Sequence, residues 1–307
     1  MVYADIRNFS LSSSKEYIKK DENNVNERKN KNAVSIVLGI YVICFVFRAV
    51  EYFFLRTDQT VLGEAFIHKL TGIVILFAAA RYYGFSNKDV GFSNNKILKN
   101  TLKGLGFGLA VFTLAYSVEI LILVIQGRFE SLSFYVSAYS VDGNVGNQTA
   151  FIFFIMCFLG NIINVVMEEG VFRGLFQKIL EKKYSFFIAA VIASSLFGMW
   201  HIMSPLRSFC DGTMSTGGFA ANSIMLIVTS ALVGFKFAMM TKLTGNLYMA
   251  MGDHFVNNTI VNILHVISAG GADQMQVVRI SIAQSVSFII VLVWYLMKKR
   301  RLDANGI

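Results

Sequence analysis

Glu168 and Glu169 close an almost uninterrupted apolar run that begins at Ala150, and Arg173 follows four residues after the second of them. A carboxylate at membrane depth costs several kcal/mol unless it is paired or put to use. Glu169 and Arg173 stand at i and i+4, so on a helix they share a face and can form an ion pair. Glu168 is rotated from Glu169 by about 100° and is left for another duty. One and two turns back on the face of Glu168 lie Asn164 and Asn161. A helix end entering the headgroup region would also tolerate such a pair.

Two histidines favour chemistry over a solvated helix end. The basic stretch Glu181-Lys182-Lys183-Tyr184 reads as a turn, with Glu168 before it and His201 nearly as far after it. At 1.5 Å per residue both lie about 25 Å from that turn, so an antiparallel hairpin levels them. His254 and Asn258, at i and i+4, share a face about ten residues into a later apolar span. A carboxylate and two imidazoles can activate water by general-base catalysis or by holding zinc. Zinc takes three protein ligands and keeps one position open, a count that Glu168, His201 and His254 would meet. Without metal, Glu168 would take the proton of water with help from His201, and His254 and Asn258 would stabilise the oxyanion. Both schemes hydrolyse an acyl bond. Serine chemistry lacks its elbow, as no GxSxG occurs.

The other ionisable groups near apolar spans are few. Arg48 and Glu51 are three apart on one helix and are expected to pair with each other. Glu64, His68 and Lys69 are expected at the interface. Glu119 is isolated, and a buried hydrogen bond and a place on a substrate path are both open to it. Asp253 is a candidate to hold the His254 ring, and His265 reads as structural.

What must position these groups is a bundle of membrane helices. The chain is 55% hydrophobic and 15% charged, with a mean hydropathy of +0.55. Ordinary soluble domains carry about a quarter charged residues. The apolar residues come in long blocks, which predicts an all-α polytopic membrane protein. About eight spans are expected, from Ala33 to Phe54, Ala65 to Tyr83, Thr101 to Ile125, Ala150 to Met167, Phe186 to Met203, Phe219 to Met240, Gly245 to Ile267 and Ser281 to Met297. Most of the 28 Lys and Arg then fall on one side, which puts both termini in the cytoplasm. The same placement accounts for the net charge of +9 without any nucleic acid. Residues 1–32 read as a polar cytoplasmic tail with no cleavable signal, and 33–300 as one transmembrane domain. The stretches from Gln126 to Thr149 and from Ser204 to Gly218 read as irregular external loops. Cys44 and Cys157 read as small core hydrophobes, and the absence of an internal repeat argues against a transporter of matched halves.

The motifs Glu168-Glu169-Gly170-Val171-Phe172-Arg173, Phe197-Gly198-Met199-Trp200-His201 and His254-Phe255-Val256-Asn257-Asn258 resemble those of the CAAX proteases and bacteriocin-processing enzymes. That family's patterns are EExxxR, FxxxH and HxxxN or HxxxD, on separate transmembrane helices. The Gly84 to Gly91 segment also looks like the family's loop between early spans. The resemblance implies an eight-helix endopeptidase with its active site inside the membrane. It implies Glu168 as the water-activating carboxylate with His201 as its partner, and His254 and Asn258 as groups that bind metal or the oxyanion. Glu169 and Arg173 come with the first motif. Zn2+ is a cofactor the motifs allow but do not require. The Lys- and Asn-rich, Pro-poor chain reads as bacterial, which places it in a plasma membrane. Bacterial members are associated with peptide maturation, self-immunity to bacteriocins and peptide signalling, so the expected substrate is a peptide or membrane-anchored protein. A non-catalytic immunity or scaffold protein is the alternative, and a transporter a further one.

Overall fold

A computed structural model describes residues 32–60, 64–139 and 146–304. Nearly all of the expected tail therefore lies outside the described residues. The fold is an all-α polytopic membrane fold. Its helices are α1 (Ala33–Val50), α2 (Ile67–Tyr82), α3 (Ile97–Ile125), α4 (Phe151–Glu168), α5 (Gln177–Glu181), α6 (Phe186–Trp200), α7 (Met203–Cys210), α8 (Thr216–Thr244), α9 (Tyr248–Ile263) and α10 (Gln276–Ala304).

Helices answer all eight expected apolar blocks, yet among the described residues six are long and apolar enough to cross a membrane. The other two, α2 and α9, have 16 residues each. At 1.5 Å per residue each is about 24 Å long, short of a hydrocarbon core of about 30 Å. Rows of Leu, Val, Ile and Phe stay exposed on α1, α3 and α10, among them Val42, Leu121 and Ile289. On a membrane protein such a girdle faces lipid rather than water.

Three expectations about loops and spans are corrected. The seventh block does not run as helix to Ile267. After Ile263 the chain turns extended as β2 (Leu264–Ser268), which pairs antiparallel with β1 (Phe129–Phe134) and with the short β3 (Gly271–Ala272). Residues expected to be irregular thus donate a strand that caps the end of α9. The second expected loop contains the helix α7, with Met203 and Pro205 buried. Proline is tolerated there because it sits in the first turn, where its missing N–H costs nothing.

Helix packing uses small residues. A methyl group on Gly104 of α3 would run into the Met249 carbonyl and the Asp253 amide of α9, and one on Gly252 would meet Thr101. Backbones this close are the usual means of joining helices where the surrounding solvent is itself apolar. The α3–α9 contact fixes the helix that carries His254. Gly198 does the same between α6 and α8, because its absent side chain leaves room for the Ile227 carbonyl.

Candidate active site

The first motif does not continue as a regular α-helix. From Glu169 to Phe176 the chain takes a π-helical turn before resuming as α5. Such widened turns concentrate at functional sites because they re-aim side chains without breaking a helix. Here the turn lets both carboxylates reach one imidazole. Glu169 Oε1 lies 2.8 Å from His254 Nδ1, while Glu168 Oε2 lies 3.6 Å from His254 Nε2. Glu169 also accepts from Arg173 Nη1 at 3.3 Å, the ion pair expected from their spacing. It therefore has two partners, and its His254 contact was hidden in a sequence separation of 85 residues.

Glu168 is held by neutral donors. Asn164 Nδ2, one turn back, donates to Oε2 at 3.2 Å, and Trp200 Nε1 donates to Oε1 at 3.1 Å. Trp200 belongs to the second motif's helix, so this bond joins the two motifs. Asn161, two turns back, is buried but faces Cys157 instead. Cys44 and Cys157 are buried as expected.

The histidine tautomers follow from their partners. His201, at the end of α6, has Nδ1 2.8 Å from the Phe197 carbonyl. A carbonyl only accepts, so Nδ1 carries the proton and a neutral ring keeps its lone pair on Nε2. The Glu169 carboxylate imposes the same tautomer on His254. Phe197 supports both rings, edge-on to His201 at 4.7 Å and to His254 at 6.2 Å, and Phe237 stacks on His254 at 4.9 Å. The phenylalanine of the second motif thus acts through both its carbonyl and its ring.

Asn258 is oriented by a chain whose polarity is fixed at its far end. Lys236 Nζ donates to Gln284 Oε1 at 3.0 Å. Gln284 Nε2 then donates to Asn257 Oδ1 at 2.7 Å, and Asn257 Nδ2 to Asn258 Oδ1 at 3.0 Å. An ammonium can only donate, so each amide downstream must present its oxygen backwards and its NH2 forwards. Asn258 is left with its Nδ2 as the donor.

Glu168, His201, His254 and Asn258 line one cavity of about 60 Å³, together with Arg48 and Asn164. That is room for a few water molecules at most, and the lining is polar enough to hold them. A second cavity of about 500 Å³, between α8, α9 and α10, shares His201, His254 and Asn258 with the first. Its size is that of ligand clefts, and Asn222, Thr229, Ser230 and Gln276 give it polar groups.

Several expected pairings are replaced by contacts between elements far apart in sequence. Arg48 does not pair with Glu51. Its Nη2 donates to Tyr52 at 3.3 Å and its guanidinium lies 4.5 Å over the Trp200 ring, beside the small cavity. Glu51 instead accepts from the His68 amide, both at Oε2 with the His68 ring at 2.6 Å, and from the Thr57 hydroxyl at Oε1. Glu64 and Lys69, expected at the interface, are buried and paired at 3.0 Å. Glu119 meets Arg279 at 2.8 Å, which makes it a structural partner. Asp253 turns away from His254 to Lys236 at 2.7 Å, because successive helical residues face apart. His265 is structural as expected, with Nδ1 on Asp273, Nε2 on the Tyr135 carbonyl, and its ring stacked on Tyr135. Trp200 and Gln284 are the contributors the sequence did not single out, while Lys236 stands out only as an ionisable residue inside an apolar span. Only the place of Trp200 inside the second motif could have drawn attention to it.

The donor set of Glu168, His201 and His254 suits zinc chemically, since each imidazole has Nδ1 engaged by an acceptor in the manner of metal-ligating histidines. As they stand, no three or more His, Cys, Asp or Glu side chains among the described residues are grouped to hold a metal ion. No curated protein matches the chain. The family model described as Rce1-like, type II CAAX prenyl endopeptidase, matches residues 150–260. That stretch holds all three motifs, and over it the chain is similar to the CAAX protease family.

Proposed function

We propose that the chain is an intramembrane endopeptidase, as its similarity over residues 150–260 implies, with a peptide or protein as substrate and the bilayer as surroundings. We propose that Glu168 is the base that activates water in this chain. The observation that carries this reading is the small polar cavity on which Glu168, His201, His254 and Asn258 converge inside a bundle with an apolar exterior. A water there donates one hydrogen to Glu168 and another to His201 Nε2, which directs its lone pair at a substrate carbonyl. Glu168 takes the proton as the oxygen attacks. The oxyanion accepts from Asn258 Nδ2, the donor that the chain from Lys236 presents. As the C–N bond breaks, the leaving amine takes the proton back from Glu168. Arg48 adds positive potential at the cavity wall. The larger cavity between α8, α9 and α10 receives the peptide, and its amide and hydroxyl side chains pair with the substrate backbone.

Should zinc be the cofactor, Glu168, His201 and His254 would hold it, and it would supply a bound water of lowered pKa. Glu169 and the Phe197 carbonyl would then keep the two rings in their ligating tautomer. Metal analysis of the purified chain and of His201→Ala and His254→Ala decides between the two. Stoichiometric zinc lost in both variants establishes the metal site, and zinc-free protein that cleaves peptide establishes the carboxylate mechanism. The asymmetry of its Lys and Arg supports both termini on the cytoplasmic side, and its Lys- and Asn-rich, Pro-poor composition supports a bacterial plasma membrane.

A further inference from the structure

A cavity of about 520 Å³ lies apart from the catalytic one, between the loop after α2, the π-helical turn with α5, and the end of α8. Four cations line it: Lys88, Arg173, Lys178 and Lys242. Its two carboxylates are already engaged. Asp89 accepts from the Ser86 amide at 2.8 Å and the Ser86 hydroxyl at 2.6 Å, and these bonds hold its carboxyl below the ordinary carboxylate range. Glu181 accepts from Lys178 at 3.0 Å and from Gln177 at 2.9 Å. Among the described residues Lys88 and Lys242 have no carboxylate within ion-pair distance, and Lys242 rests over the Phe186 ring instead.

The cavity wall also carries polar atoms that the protein leaves without partners. Among the lining residues, Arg173 Nη2, the Thr241 hydroxyl and Gln177 Oε1 are buried and make no hydrogen bond. An unsatisfied buried donor costs about 1–3 kcal/mol, and more when it is charged. Surplus positive charge next to two unused donors suits an anion with several acceptor oxygens. A phosphate offers three or more and prefers charge-assisted bonds to Arg and Lys. We propose that this cavity binds a phosphate group, carried either by a small soluble molecule or by the headgroup of an anionic lipid. The site is independent of the catalytic reading, since it uses none of Glu168, His201, His254 or Asn258. Arg173 is common to both regions: its Nη1 holds Glu169 while its Nη2 is the unused donor.

The test uses the full chain and the variant Lys88→Gln/Lys242→Gln, which leaves Arg173 and every cavity carboxylate in place. Inorganic phosphate is titrated by calorimetry into the detergent-solubilised protein. Retention of phosphatidic acid against phosphatidylcholine is measured by native mass spectrometry after extraction from mixed nanodiscs. One phosphate-bearing ligand per chain is expected, bound about thirtyfold more weakly by the double variant, as two surface lysines together contribute. Phosphate bound in solution identifies a soluble ligand, and phosphatidic acid retained without it identifies the lipid headgroup. Binding of neither, or equal binding by the double variant with an unchanged melting temperature, overturns the proposal.

Discussion

At His254 two carboxylates meet one imidazole, and their duties differ by which nitrogen they reach. Glu169 accepts from His254 Nδ1 and from the Arg173 guanidinium together, so it is buried, doubly partnered and fixed. Removing one partner from a buried ion pair costs about 3–5 kcal/mol, because the remaining charge is stranded. Glu169→Gln is therefore expected to lower the melting temperature in detergent by more than Glu168→Gln, whose neighbours Asn164 and Trp200 are neutral donors. Equal shifts would contradict this division. The sequence spacing gave the Glu169–Arg173 bond, since i and i+4 residues share a face. It could not give the His254 bond, nor the swap by which Glu51 takes His68 and leaves Arg48 over Trp200. Those pairings are set by which helices become neighbours, and a charge has no local signal for a partner so far along the chain.

Among the elements, the apolar blocks were legible because a membrane helix needs about 20 apolar residues regardless of its neighbours. The strand after α9 was not, since Leu264–Ser268 is as apolar as the helix before it and only its pairing with Phe129–Phe134 makes it extended. The π-helical turn was equally silent, because Gly170 and Gly174 weaken a regular helix there without specifying how it departs from one. Gln284→Leu breaks the chain from Lys236 to Asn258 without stranding a charge, as Lys236 keeps Asp253 and Ser287. Peptidase kinetics should show kcat reduced, toward the 10²–10³-fold loss typical of a missing oxyanion donor, with KM nearly unchanged, and Gln284→Glu, which can only accept from Asn257, should not restore it. Gly252→Leu forces α3 from α9 against backbone rather than a flexible side chain. Overpacking of about 1–3 kcal/mol should appear as a lower melting temperature together with lost activity, because α9 carries His254 and Asn258.

Across the whole molecule, the buried charges form cross-braces between helices, and the end of the bundle near β2 is braced through Asp273. Burial alone would raise the Asp273 carboxyl, but hydrogen bonds from His265 and Arg279 outweigh it and hold the group below the ordinary carboxylate range. A depressed carboxyl contributes stability that is fully present above its unfolded value, near 4, and is lost as pH falls through the lower folded value. Thermal melting between neutral and strongly acidic pH should therefore fall more steeply for the wild type than for Asp273→Asn, and parallel curves would contradict the brace. The bundle keeps a small polar cavity inside an apolar exterior, and Glu168 is the group proposed to activate water there. The direct measurement is peptide-bond cleavage by purified wild type and Glu168→Gln, each reconstituted in liposomes and assayed with a peptide library read by mass spectrometry. Cleavage by the wild type is expected, with a loss of about 10²–10⁴-fold, the reach of general-base catalysis, in a variant that melts at the wild-type temperature. Cleavage by Glu168→Gln at the wild-type rate would contradict that role.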